Sequence, residues 1–164
     1  MNRRLALKLT LKLSGLSLFA LGTATRLSLA EGEVFEITKT PEEWMKLLTT
    51  EQFATLREEA TERSFTSALL EEHRKGTFTC AGCDLPLYSS EQKYESGTGW
   101  PSFFDHLPNA IGTKEDNGLF TTRTEVHCRR CGGHLGHVFD DGPQPTGLRY
   151  CMNGVALKFV AVAA

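Results

Sequence analysis

The chain has 164 residues, 40 % of them apolar and 23 % charged, with a formal net charge of −2. That length corresponds to one ordinary domain, able to remove about two-thirds of its unfolded surface from water. The composition excludes wholesale disorder, collagen-like repeats and coiled coils. The charge is unevenly placed. Residues 1–30 hold five basic residues and no acidic one, leaving thirteen basic against twenty acidic from Glu31 onward, a net of −7. A body of that charge is a poor general binder of nucleic acid or anionic membrane.

Arg3 and Arg4 open the chain, residues 13–25 carry no charge, and Ser28-Leu29-Ala30 places small residues where a signal peptidase reads. A secretory signal peptide cut after Ala30 is expected. Residues 2–8 also loosely resemble a twin-arginine export motif. The expected destination is a bacterial periplasm. Two alternatives stay open. Lys12 interrupts the apolar run, as in an organelle transit peptide, and an uncleaved anchor is the other reading, although the run falls short of the roughly 20 residues a spanning helix needs. Residues 1–30 are therefore set apart as a targeting segment, and 31–164 are read as a single domain.

In the body, residues 31–40 read as an extended lead-in. Thr40, Pro41 and Glu43 form a helix start, with Trp44, Leu47 and Leu48 as its apolar stripe. Residues 50–60, with Phe53 and Leu56, give a second helix. Residues 61–75 are weaker, with Leu69 and Leu70 on an inner side. From Gly76 the periods shorten. Strands are expected at Thr77-Phe78-Thr79, over 119–126 and at Val138-Phe139. Residues 148–152 and 155–162 read as a hairpin around Asn153-Gly154. The expected fold is mainly β, two antiparallel sheets with short N-terminal helices.

Four of the five cysteines form two pairs, Cys80-Ala-Gly-Cys83 and Cys128-Arg-Arg-Cys131. Two such knuckles are the usual ligand set of a tetrahedral structural zinc, because two intervening residues let both thiolates turn toward one ion. Gly82 and Gly132 sit where the tight turns need small residues. Two disulfides and a dithiol redox site are the competing readings, and His73, His127 and His134 are nearby substitute ligands.

Cys151 is left over, within Arg149-Tyr150-Cys151-Met152-Asn153. On a strand, Arg149, Cys151 and Asn153 share one face, putting a cation and an amide beside a thiol that is either a nucleophile or a buried, inert core cysteine. His134-Leu135-Gly136-His137 supplies imidazoles able to donate to an oxygen or shuttle a proton; a core-edge position or another metal is the alternative. Gly97-Thr98-Gly99-Trp100-Pro101-Ser102-Phe103-Phe104 reads as a rigid loop whose Trp100 either holds a methyl group or packs in the core.

Together these residues resemble the methionine-R-sulfoxide reductases, the B class of peptide methionine sulfoxide reductases. The matching motifs are Cys80-x-x-Cys83, Ser96-Gly97-x-Gly99-Trp100-Pro101-Ser102-Phe103, Cys128-x-x-Cys131, His134-Leu135-Gly136-His137-Val138-Phe139, Asp141-Gly142-Pro143 and Arg149-Tyr150-Cys151-Met152-Asn153, over roughly residues 38–160. The resemblance implies Cys151 as catalytic cysteine, Trp100 as receiver of the substrate methyl, and His134, His137 and Asn153 around the sulfoxide. It also implies Arg149 as the basic residue near the nucleophile, and zinc on Cys80, Cys83, Cys128 and Cys131, opposite the active site. The implied reaction has the Cys151 thiolate attack the sulfoxide sulfur and a protonated His137, aided by His134, donate to the oxygen. Cys151 is left as a sulfenic acid, which a thiol restores.

One departure matters. Many members of that family carry a resolving cysteine between the two glycines, where this chain has Thr98. With the knuckles occupied by zinc, recycling would fall to an external thiol, thioredoxin by default. Oxidised proteins or peptides are the expected substrates, nucleic acid is not an expected partner, and a monomer is expected. The competing function is a zinc-stabilised, non-enzymatic interaction module, which leaves Cys151, His134, His137 and Trp100 without a shared task.

Overall fold

A computed structural model describes residues 33–117 and 121–163. The leader expected at 1–30 lies outside them, as do Leu119 and Phe120 of the strand expected over 119–126. Helix α1 (Pro41–Leu47) starts on a reciprocal cap. The Thr40 hydroxyl accepts from the Glu43 N–H at 3.3 Å, and the Glu43 carboxylate accepts the Thr40 N–H at 2.8 Å. Helix α2 (Thr50–Glu58) repeats the device with Thr49 and Gln52 and stops at Glu59 in the left-handed region. Trp44, Leu48 and Leu56 are buried, but Leu47 is 62 % exposed. As the last residue of a two-turn helix it falls off the line that Trp44 and Leu48 make at a spacing of four. Residues 59–75 hold one short 3₁₀ turn, Ala68–Glu71. There Leu69 packs on the core and Leu70 offers its carbonyl to the Lys93 Nζ.

Among the described residues nine strands follow: β1 (Gly76–Cys80), β2 (Pro86–Ser89), β3 (Lys93–Tyr94), β4 (Ser102–Phe103), β5 (Ile111–Asn117), β6 (Thr122–Cys128), β7 (His134–Phe139), β8 (Arg149–Met152) and β9 (Leu157–Ala161). They form two antiparallel sheets, β2-β1-β9 and β3-β4-β8-β7-β6-β5. The hairpin expected around Asn153-Gly154 does not form. After Asn153 the chain makes a 3₁₀ turn, Gly154–Ala156, and β9 leaves the sheet of β8 to pair with β1 in the other. The turn is held from outside: the Glu62 carboxylate accepts the Gly154 N–H at 2.7 Å, and Ala81 donates its N–H to the Ala156 carbonyl at 2.8 Å.

The core lies between the sheets. Phe78 of β1, Tyr88 of β2 and Phe103 of β4 are fully buried. The Tyr88 and Phe103 rings stack at 4.3 Å, and Phe78 meets Phe103 edge-on at 5.0 Å. The Tyr88 hydroxyl donates to the Met152 sulfur at 3.0 Å. Along β8 burial alternates. Tyr150 and Met152 are buried, while Arg149 and Cys151 are half-buried on the other face, as the two-residue period of a strand requires. Cys151 is therefore not an interior cysteine of the core.

Helix α2 caps this assembly through Leu56, 2 % exposed, which lies against Gly133. Leu56→Ala should leave a void beside the Cys128–Cys131 turn and cost about 2–5 kcal/mol, read as a lowered urea midpoint at unchanged slope.

Candidate active site and metal centre

The two knuckles close on each other. Cys80 ends β1 and Cys128 ends β6, so each pair belongs to a different sheet. The Sγ atoms of Cys80 and Cys131 are 3.8 Å apart, those of Cys83 and Cys128 3.5 Å, and all four lie within 4.8 Å of one another. The turns are built alike. Cys80 donates its N–H to Leu85 and accepts from Asp84, and Cys128 donates to Gly133 and accepts from Gly132. The left-handed residue follows the second cysteine in both, Asp84 at φ +57° and Gly132 at φ +66°. The special position in the first knuckle is thus Asp84, not Gly82.

These sulfurs suit a metal ion. Ligands about 2.3 Å from a tetrahedral centre stand roughly 3.8 Å apart, whereas a disulfide needs about 2.05 Å. Mutual hydrogen bonding pushes the Cys80 and Cys131 thiols up and holds Cys83 and Cys128 down. No histidine joins the set: His127 is buried with its Nε2 3.1 Å from the Glu33 carboxylate.

Away from the sulfurs, three neighbouring strands set Ser102, Cys151 and His137 side by side, since Cys151 is paired with Ser102 of β4 and with His137 of β7. A cavity of about 110 Å³ opens there, lined by Cys151, His137, Trp100, Asn153, Arg123 and Phe139, with Thr61 and Gly136 completing it. Gly136 is required by close approach: a Cβ on it would lie 2.1 Å from the Cys151 carbonyl oxygen. Trp100 is fixed by its indole N–H, which donates to the Glu62 carbonyl at 2.8 Å.

The SelR domain family matches residues 48–161. A peptide methionine sulfoxide reductase MsrB of Leptospira interrogans is 52 % identical over 126 residues, covering 76 % of this chain and 96 % of its own. The protein of that name from Methanosarcina barkeri is 53 % identical over 124 residues, covering 75 % of this chain and 87 % of its own. The chain belongs to the MsrB family. The chloroplastic peptide methionine sulfoxide reductase B1 of Arabidopsis thaliana is 49 % identical over 121 residues, 73 % of this chain and 60 % of its own.

Of the residues that the MsrB resemblance singled out, Cys151, His137, Trp100 and Asn153 meet at the cavity. His134 and Arg149 do not line it. His134 is buried behind His137, ring centroids 5.4 Å apart, with Nδ1 2.9 Å from the Glu125 carboxylate and no partner on Nε2. Arg149 forks onto Asp141 through two bonds of 2.8 Å and lies over the Phe139 ring. Asn153 follows the end of β8 instead of continuing its face. Its amide is engaged on both sides, Nδ2 donating to the Leu135 carbonyl and Oδ1 accepting the Glu62 N–H at 2.9 Å.

Sequence reasoning missed Glu62, Asp116 and Arg123. Glu62 touches Trp100, Asn153 and the Gly154 turn, yet it stands in the weakly patterned stretch 61–75, where no motif marks it. Asp116 and Arg123 are cross-strand partners on β5 and β6, a pairing visible only once the register is known.

The electrostatics of the histidines follow from burial. Desolvation pulls both His134 and His137 below the ordinary imidazole range. For His137 this is partly opposed by Asp116, whose Oδ2 lies 2.8 Å from Nε2 and which is itself held low, first by that bond and then by Arg123. An NMR titration should place His137 below the free value of about 6.5. Asp116→Asn should move it lower still, because the substitution removes the carboxylate that favours the imidazolium; a rise would contradict the assignment.

Proposed function

We propose that the chain reduces the R epimer of peptide-bound methionine sulfoxide to methionine, with Cys151 as nucleophile. The observation that carries this is the convergence of Cys151, His137 and Trp100 on one small cavity in an MsrB-family chain. The sulfoxide methyl rests on the Trp100 ring. The Cys151 thiolate attacks the electrophilic sulfur, and His137, with Asp116 behind it, gives a proton to the oxygen. The oxygen passes to Cys151, so thiolate, proton and sulfoxide become sulfenic acid and thioether, and the thiol sulfur is oxidised as methionine sulfur is reduced. Arg149 contributes positive charge near the thiolate. Its guanidinium is held above its usual range by Asp141, with Cys151 adding to the effect. His134 acts on the orientation of His137 from behind, and Asn153 shapes the wall. A non-enzymatic module would need none of this arrangement.

Recycling follows from the cysteine inventory. Thr98 lies 3.8 Å from the Cys151 sulfur, where its hydroxyl cannot form a disulfide. An external thiol therefore reduces the sulfenic acid, releasing water and forming its own disulfide, with a thioredoxin-type dithiol as donor and the chain acting as a monomer. The charge pattern of residues 1–30 supports a cleaved export leader, a body over 31–164 and a periplasmic site of action. Among the described residues no helix is long and apolar enough to cross a membrane.

With separated epimers and dithiothreitol, turnover should be confined to the R epimer and abolished by Cys151→Ser; equal rates on both epimers would reject the reading. Without reductant, one turnover should release about one methionine per chain and leave a single dimedone-reactive sulfenic acid on Cys151.

The four-sulfur cluster supports a structural zinc held by Cys80, Cys83, Cys128 and Cys131, clamping the two sheets and taking no part in the reaction. Elemental analysis should find one zinc per chain, and Cys128→Ser should lower the melting temperature and the zinc content together.

A further inference from the structure

The serines of the Ser96-to-Phe103 loop have no part in the reaction described above, yet with Thr98 they form a continuous chain ending on the nucleophile. The Thr98 Oγ1 lies 3.8 Å from the Cys151 Sγ and 2.9 Å from the Ser96 Oγ. Ser96 is 2.7 Å from the Ser102 Oγ, and Ser102, fully buried, is 3.1 Å from the Trp100 carbonyl. Ser102 is also the cross-strand neighbour of Cys151. Three hydroxyls thus link the Cys151 sulfur to the backbone of Trp100.

Each hydroxyl has one proton to donate. With Cys151 as a thiol, four protons serve the four contacts, all pointing from sulfur toward the Trp100 carbonyl. Removing the thiol proton leaves three protons for four contacts. If the hydroxyls keep their direction, the contact without a proton sets the Thr98 oxygen against the sulfur anion. If all three rotate, Ser102 donates to Ser96, Ser96 to Thr98 and Thr98 to the thiolate. The unmet contact then moves to the Trp100 carbonyl, the end furthest from the charge. Hydrogen bonds to an ionised acceptor are about twice as strong as neutral ones, and aligned donors reinforce one another, so the reversed chain is the favourable one.

The geometry points to Thr98 as a further catalytic residue, a hydrogen-bond donor that stabilises the Cys151 thiolate, with Ser96 and Ser102 as positioning residues that orient its hydroxyl. This rests on the reading of Cys151 as the nucleophile. The hydroxyl of Thr98 would serve the attacking sulfur before the reaction, a task distinct from restoring it afterwards.

The test is the pH dependence of Cys151 alkylation by iodoacetamide in the full chain, followed on the Cys151 peptide by mass spectrometry. It does not depend on reductase activity, so a failure of this inference and a failure of the proposed reaction remain distinguishable. Thr98→Val should move the alkylation midpoint upward by about one pH unit, making Cys151 roughly tenfold slower below the midpoint. Thr98→Ala should do the same, Thr98→Ser should restore the parent profile, and Ser96→Ala should move it less in the same direction. A midpoint unmoved in both Thr98→Val and Thr98→Ala would overturn the inference, as would a downward shift, which would mean that the hydroxyl serves the neutral thiol. A Thr98→Val shift that Thr98→Ser failed to restore would assign the effect to packing and overturn it equally. An unchanged Ser96→Ala profile would remove the serines from it.

Discussion

The meeting of four sulfurs from two sheets is the constraint on which the rest of this molecule depends. Each knuckle ends a strand, one in the three-stranded sheet and one in the six-stranded sheet, so bringing the sulfurs within 4.8 Å of one another fixes how the sheets face each other. The aromatic core of Phe78, Tyr88 and Phe103 fills the space this leaves, and α2 closes over the second knuckle through Leu56 and through Arg57, which donates to the Cys131 carbonyl at 2.9 Å. A body with so many loops would gain much from a metal ion held there, since it would join segments 45 to 51 residues apart.

The six-stranded sheet carries its polarity in cross-strand layers. His137 backs onto Asp116 and Arg123, and His134 backs onto Glu125, whose carboxylate also meets Lys114 at 2.8 Å. Two imidazoles thus each rest on an acid that rests on a base. Burial of such groups costs free energy unless every member is paired, and among the described residues the buried Nε2 of His134 has no partner. The hydroxyl chain on the opposite side of Cys151 is uncharged, so the sulfur sits between an ionic wall and a neutral one.

Much of this was legible in the sequence, for reasons specific to each feature. Thr40 with Glu43 announces a helix start because the capping exchange involves only neighbours. The Cys-x-x-Cys pairs announce a metal centre because the ligands of each half are local. The apparent hairpin at Asn153-Gly154 misled because the turn is held by distant partners, Glu62, whose carboxylate accepts the Gly154 N–H, and Ala81, and because β9 pairs with β1 in the other sheet. Gly82 misled because the left-handed position in a knuckle follows the second cysteine, and in the first knuckle Asp84 fills it. Asp116, Arg123 and Glu62 went unseen because their importance is a matter of who lies opposite, which residue type alone does not disclose.

The strap that holds Trp100 does so with its backbone. The indole N–H is received by the carbonyl of Glu62, and three residues later the Phe65 N–H is received by the carbonyl of Gly99. Neither bond needs a particular side chain at 62 or 65, although the Glu62 carboxylate has its separate duty at the Gly154 turn. What the two anchors share is a count: the strap must advance three residues while the loop beneath it shifts by one. Replacing side chains along the strap leaves that count intact, whereas gaining or losing a single residue between the anchors breaks it. The aromatic wall of the cavity is therefore set by the length of a segment of unremarkable composition.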